Sequence, residues 1–188
     1  MLSGSEVFAN VPGGQPYGPP VAPGSTQNHS DPQAPKKIIS RRIDSFSYRF
    51  DNSSAICPGD DALSGGRYQL GMERLEGGRA KMTIKGSSRF CSSLNIETEV
   101  PLNSLERLQE IIEQQKLASI NGWFRSNSAL GCSFSLNVVY DSKENIRIGG
   151  EGGCSVIPPG LSSYPYLKLF KELAEANGYD FKTGKKNP

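Results

Sequence analysis

The fold is decided by residues 68–84, which read YQLGMERLEGGRAKMTI. On both sides of Glu76-Gly77-Gly78, apolar residues alternate with polar ones: Tyr68, Leu70, Met72, Ala80, Met82 and Ile84. Such alternation is typical of strands with one buried face, and glycines between two alternating runs are typical of a hairpin turn. Only a three-residue loop at 76–78 places Met72 opposite Met82, so the sequence predicts that loop.

The same alternation continues on both sides of this hairpin. It predicts further strands at 46–50, 94–100, 134–138 and 146–148, and a helical period replaces it at 104–120 and 165–177. The sequence therefore predicts an α+β fold of two layers, a mainly antiparallel sheet of five or six strands with two helices packed on one face. The expected shared core consists of Phe46, Leu70, Ile84, Ile96, Leu108, Ile112, Phe134, Leu136, Leu167 and Phe170.

The composition divides the chain into three parts. Residues 1–37 contain seven prolines and five glycines, and such a segment buries too little apolar surface to offset the entropy of ordering it. We therefore expect a disordered Pro/Gly-rich tail or linker at 1–37. A single α+β domain is expected at 38–181, followed by a flexible basic tail at 182–188.

Charge and hydropathy limit the class of partner. The formal net charge is +2, and the lysines and arginines are scattered along the chain. A nucleic-acid-binding domain usually carries a basic stripe, so we expect no nucleic-acid partner. The sequence contains no apolar run of the length that a membrane span needs and no apolar leader after Met1. These features predict a protein that does not insert into membranes and that lies in the cytoplasm.

Histidine usage argues against familiar hydrolytic chemistry. The single histidine, His29, lies in the predicted tail, so residues 38–181 cannot form a Ser-His-Asp or Cys-His arrangement. The usual mixed zinc sites also need histidine, and the four cysteines form no C-x-x-C pair. We expect no metal and no cofactor, and the sequence leaves open whether the protein is an enzyme.

Two places could bind a ligand. The loop at 51–66 is long for a strand connection and contains Cys57, Asp60 and Asp61, whose side chains could act as acid, base or nucleophile. Adjacent acids in a loop are more often simply hydrated. Trp123 follows the first predicted helix and is either a core residue or an exposed aromatic contact.

Cys132 and Cys154 form a candidate pair. The last hairpin should turn within 141–145, and Lys143 at its centre lies eleven residues from each cysteine. Continued antiparallel pairing would place the two directly opposite each other, within the reach of a disulfide. They would be packed thiols in a reducing compartment and could form a disulfide in an oxidising one.

From about residue 43 to 181 the chain resembles a group of uncharacterised bacterial proteins of clostridia and their relatives. The resemblance rests on Asn121-Gly122-Trp123, on Ser133-Phe134-Ser135-Leu136, and on a Gly-containing strand that leads through Pro158-Pro159 to a final helix. The chain departs from the more usual Trp-Asn-Gly order of that group. The resemblance implies the same fold, a bacterial origin and a Pro-rich linker to another module, and it transfers no catalytic residue.

These features favour a non-enzymatic protein-interaction module. The partner would be another protein, including a toxin if the chain is immunity-like. The alternative is a small-molecule-binding or enzymatic domain that uses the carboxylates and Cys57 of the 51–66 loop. A polar sheet face and the missing nucleotide motifs favour the first hypothesis.

Overall fold

The computed structural model describes residues 25–51, 66–88, 91–129 and 131–187. Two short 3₁₀ helices, Leu117–Ile120 and Cys154–Val156, lie among the main elements. Those elements, in chain order, are β1 (Thr26–Asn28), β2 (Ile43–Asp51), β3 (Arg67–Arg74), β4 (Arg79–Ser88), β5 (Cys91–Pro101), α1 (Asn103–Gln114), β6 (Phe124–Asn127), β7 (Ser133–Tyr140), β8 (Asn145–Glu151) and α2 (Tyr164–Ala176).

All the strands belong to one mixed sheet. Its order is β1-β6-β8-β7-β2-β3-β4-β5. Neighbouring strands are antiparallel except β6 and β8, which run parallel. The α+β class and a mainly antiparallel sheet are confirmed, whereas the predicted number of five or six strands is wrong, since the sheet has eight. The error has a physical reason: β6 reads FRSN and β1 reads TQN, so neither of these short strands has apolar alternation.

One apolar core joins the sheet to both helices. Alternate residues of β2 are buried, and Leu105, Leu108 and Ile112 on α1 pack into the same cluster as Leu167 and Phe170 on α2. All ten core residues expected from the sequence are buried there. The first helix is shorter than predicted, because Lys116 adopts a left-handed conformation with φ of 54° just after α1.

The hairpin at 76–78 forms as predicted. Met72 lies opposite Met82 and Leu70 opposite Ile84, which requires a three-residue loop. Gly77 and Gly78 both have φ of 77°, a conformation that glycine adopts without a steric penalty.

Both predicted tails contribute to the fold in the part that the structure describes. β1 pairs with β6, so the boundary predicted at residue 37 is too late; residues 1–24 lie outside the described ranges. At the other end, Tyr179 forms a β-bridge with Lys186, and Phe181 is buried. The flexible tail predicted at 182–188 is therefore wrong as far as residue 187, because these bonds fold it back on residues 178–180.

Candidate binding face of the sheet

The sheet face opposite the helices, here called the open face, is polar. In β2, Ser47 and Arg49 are exposed while Phe46, Tyr48 and Phe50 are buried. The pattern repeats across β3, β4, β7 and β8, so the open face collects the polar half of each alternating strand. Its central residues are Ser45, Ser47, Arg49, Gln69, Thr83, Lys85, Ser135, Asn137 and Arg147.

Strand register aligns these side chains in rows that cross the sheet. The central row runs from β6 to β4 and consists of Phe124, Gly149, Ser135, Arg49, Gln69 and Lys85. The next row contains Arg147, Asn137, Ser47, Gly71, Thr83 and Glu97. Residues far apart in the chain therefore become neighbours on one surface.

Three cations in these rows have no anionic partner. Arg49, Lys85 and Arg147 are exposed and form no ion pair with any residue of the described ranges. We call them the three cations. An unpaired cation on a surface is hydrated and available to an incoming anion.

Carboxylates lie on both sides of the three cations along the strands. On one side Asp51 pairs with Arg67 at 2.7 Å, in the row that also contains Glu151. On the other side the row through Ser45 contains Glu73. The positive region of the open face is therefore about two rows deep.

An N-terminal segment crosses the edge of the open face. Residues 29–37, here called the strap, follow β1. Asp31 N donates to Gly122 O at 2.8 Å, and Asn121 Nδ2 donates to Pro35 O at 3.0 Å. Lys36 Nζ also donates to Asn121 O. These bonds hold the strap against the loop that precedes β6.

A groove of about 580 Å³ lies between the strap and strands β7 and β8. Pro35, Phe124, Asn137 and Arg147 are among its lining residues. The Phe124 side chain is 39% exposed, and the Asn137 Oδ1 atom is buried without a hydrogen-bond partner. The groove thus combines an aromatic surface, an unpaired cation and an unused acceptor.

His29 lies at this groove, although the sequence predicted it in a disordered tail. Its ring centroid is 6.0 Å from that of Phe124, and its Nε2 atom lies 2.9 Å from Gln27 Oε1. The backbone N–H of His29 donates to Phe124 O at 2.9 Å. The prediction failed because β1 has no sequence signal that distinguishes it from the Pro/Gly-rich segment before it.

Trp123 is the one predicted binding residue that lies within the described residues. Cys57, Asp60 and Asp61 lie outside the described residues. Trp123 is half-buried against the core, its Nε1 donates to Val156 O at 3.1 Å, and the Arg125 guanidinium lies 4.1 Å from the ring centroid. Trp123 therefore packs mainly as a structural residue at the sheet edge.

Cys132 is buried and disulfide-bonded. The prediction that Cys132 and Cys154 lie directly opposite each other is wrong, because the β7–β8 hairpin is centred on Ser142, with Val139 opposite Asn145. Instead, Gly152 N donates to Cys132 O at 3.1 Å. The shift of two residues preserves which face each residue occupies, so the cysteine pair itself stays a prediction.

Sequence reasoning missed the three cations and Phe124. The available signal was their position in the polar phase of predicted strands, or in β6 for Phe124. That signal shows which side chains lie on the polar face of the sheet. It does not show that these four lie near one another, because their proximity depends on the strand order.

Comparison with known proteins assigns this chain to no family. The chain matches no protein-family model and no curated protein. Among the residues that the structure describes, no helix is long and apolar enough to cross a membrane. The same residues contain no group of three or more His, Cys, Asp or Glu side chains placed to hold a metal ion.

Proposed function

We propose that this protein is a non-enzymatic interaction module that binds another protein through the open face. One observation carries the proposal: within the described residues, three cations without ion pairs lie on the sheet face opposite the helices, beside the exposed Phe124. Protein interfaces are enriched in aromatic residues and arginine, which act as anchors in partly desolvated contacts. A sheet face with both features, beside a groove, is suited to recognition.

The open face also suits an interface because its framework is rigid. Its side chains project from strands that are paired on both sides in the centre of the sheet, so little conformational entropy is lost on binding. The enzymatic alternative depends on the 51–66 loop, most of which lies outside the described residues, and stays a prediction.

Site-specific photo-crosslinking tests the proposal. A photoreactive amino acid replaces Ser47, at the centre of the open face, and in a matched variant it replaces Lys168, which is exposed on α2. Both variants of the full chain are expressed in the native host and irradiated. We expect one defined crosslinked protein from position 47 and none from position 168.

Crosslinks of equal yield from both positions, or none from position 47, would overturn the proposal. The thermal stability of each variant is measured first, so that a folding defect is not mistaken for a lost contact.

We also infer that the protein functions in an oxidising compartment instead of the cytoplasm that the sequence predicts. The disulfide at Cys132 supports this inference, because cytoplasmic reductants keep most thiols reduced. Rapid acid precipitation of host cells, followed by alkylation of free thiols under denaturing conditions, distinguishes the two compartments. Alkylated Cys132 would restore the cytoplasmic assignment.

A further inference from the structure

Resting on the proposed function, we propose that the open face binds a short acidic segment of the partner protein. The segment lies extended across the strands, along the central row from Phe124 to Lys85. The argument rests on charge complementarity, on the extent of the positive region and on the spacing of its side chains.

Charge complementarity identifies the ligand as an anion. Arg49 and Lys85 lie in the central row, and Arg147 lies in the next row. Within the described ranges none of them has an ionic partner, whereas Lys81, on the same strand as Lys85, pairs with Glu97 at 2.7 Å. Complementary charge steers association and fixes the register of a partner.

The extent of the positive region favours an acidic peptide over a nucleic acid. The row beyond the central row contains Asp51 and Glu151, and Glu73 lies on the other side of the three cations. These carboxylates would repel a phosphate backbone running along the strands. Single-stranded nucleic acids also need several stacking aromatics, whereas Phe124 is the one exposed aromatic residue among the described large hydrophobic side chains.

The spacing favours an extended conformation with acids three residues apart. Arg49 and Lys85 are separated by two strand spacings, or roughly 10 Å. In a polyproline-type helix, residues three apart lie on one side and are separated by roughly 9 Å. Two carboxylates at positions i and i+3 therefore match Arg49 and Lys85.

An apolar residue of the same segment fits beside Phe124. The Phe124 ring lies against Gly149, which is two strand spacings, or roughly 10 Å, from Arg49. Three residues of a polyproline-type helix span roughly 9 Å and return to the same side. Between the ring and Arg49 lies the small, exposed residue Ser135, which leaves room for a backbone. A Cβ atom on Gly149 would lie 3.2 Å from the Phe124 ring, so a side chain there would crowd the aromatic contact.

A designed peptide tests this geometry directly. The probe is a fluorescein-labelled, proline-rich dodecapeptide with leucine at its fourth position and glutamate at its seventh and tenth positions. Its binding to the full chain is measured by fluorescence anisotropy at low ionic strength. We expect saturable binding that weakens roughly threefold in Arg49→Gln or Lys85→Gln and roughly tenfold in the double variant.

Arg107→Gln is the matched control variant. It removes the same charge from α1, where Arg107 is exposed and pairs with Glu172, and we expect it to leave probe affinity unchanged. A peptide of the same composition with adjacent glutamates tests the spacing, and we expect it to bind more weakly.

Several outcomes would overturn the inference. They are failure of the probe to bind, a loss in Arg107→Gln as large as that in Arg49→Gln and Lys85→Gln, no preference for the three-residue spacing, and tighter binding of a ten-nucleotide oligouridylate. Failure here is distinguishable from failure of the proposed function: crosslinking from position 47 without probe binding keeps the interaction module and removes the acidic segment. Absence of that crosslink removes both.

Discussion

Glu144 fastens the chain between the strap and β2 to the turn between β7 and β8. Its Oε1 atom accepts a hydrogen bond from Ile39 N at 3.0 Å, and its Oε2 atom accepts one from Ser40 N at 3.0 Å. The Ser142 hydroxyl also donates to Oε2, at 2.7 Å. The bond from Ser40 N–H, followed by those from Ser142 and Ile39, holds the pKa of this carboxyl below its ordinary value, because all three stabilise the charged form.

Glu144→Gln should therefore lower stability at neutral pH. A carboxyl with a lowered folded-state pKa contributes stability above its unfolded pKa and loses it as the pH falls through the folded pKa. We expect wild type and variant to differ at pH 7 and to converge as the pH falls below the ordinary pKa of a glutamate carboxyl, through the lowered pKa of Glu144. Urea unfolding across this range is the measurement.

Glu110→Gln provides the control for Glu144. Glu110 is exposed on α1 and forms no ion pair within the part of the chain that the structure describes. Two results would contradict the assigned role. One is a difference in the free energy of unfolding between wild type and Glu144→Gln that stays the same in acid. The other is the same pH dependence in Glu110→Gln.

Residue-scale features were the least predictable from the sequence. Burial of Leu70 or Phe134 followed from strand period alone. The bonds of Glu144 require the turn between β7 and β8 to meet the chain just before β2, and the clustering of the three cations requires the strand order. No local pattern around Arg49 or Arg147 distinguishes either from an ordinary hydrated side chain.

The β7–β8 hairpin shows what an element-scale prediction can and cannot supply. The residues on each face were correct, because face depends only on parity. The register was wrong by two residues, because Lys143 takes a left-handed conformation with φ of 69° and the loop closes one position earlier than expected. A two-residue shift leaves each residue on the same face of the sheet. The predicted buried residues of β7 and β8 were therefore correct although the register was wrong.

We predict that Cys132 is joined to Cys154. The chain after β8 turns at Gly152, whose N–H bonds Cys132 O, and a 3₁₀ helix begins at Cys154, so the two backbones come close. Closing this loop should contribute about 3 kcal/mol. Cys132→Ser and Cys154→Ser should therefore reduce the free energy of unfolding equally.

Mass spectrometry of non-reduced, alkylated peptides identifies the bond directly. The matched variant is Cys57→Ser, which we expect to retain wild-type stability. A peptide that links Cys132 to Cys57 or Cys91 would refute the pairing, and a stability loss in the Cys57→Ser variant would point to the same conclusion.

At the scale of the whole molecule, the N-terminal segment completes the sheet. β1 pairs with β6, and the strap adds further bonds to the loop before β6. Deleting residues 1–37 removes several of these bonds at about 1 kcal/mol each, offset in part by the entropy of the released chain. We expect a net loss of about 2 kcal/mol and a fall in Tm of roughly 4–8 °C.

The matched comparison is deletion of residues 1–24, which retains β1 and the strap. We expect this shorter deletion to leave Tm within about 1 °C of wild type. Differential scanning calorimetry of the two truncated proteins separates the contributions, and equal Tm values for both would show that β1 adds nothing to stability.

The layers of the fold were predictable because each long strand and each helix carries its own period. The short strands β1 and β6 were not predictable, because strands of three or four residues form only when a neighbouring strand supplies backbone hydrogen bonds. β6 depends on β8, and β1 depends on β6. The groove forms only when β1 and β6 are in place, so residues 25–37 alone do not predict it.

The strand order also fixes where the chain can be tethered. The segment that enters β1 lies at one rim of the sheet, while Tyr179 Oη lies 3.5 Å from Glu97 O of β5 at the opposite rim. Seven strand spacings separate these rims, or roughly 34 Å. A circular permutant of residues 25–187 would need a linker of about ten extended residues to join the two sides. Fusion partners attached directly before residue 25 and directly after residue 187 would be held apart by the full width of the sheet.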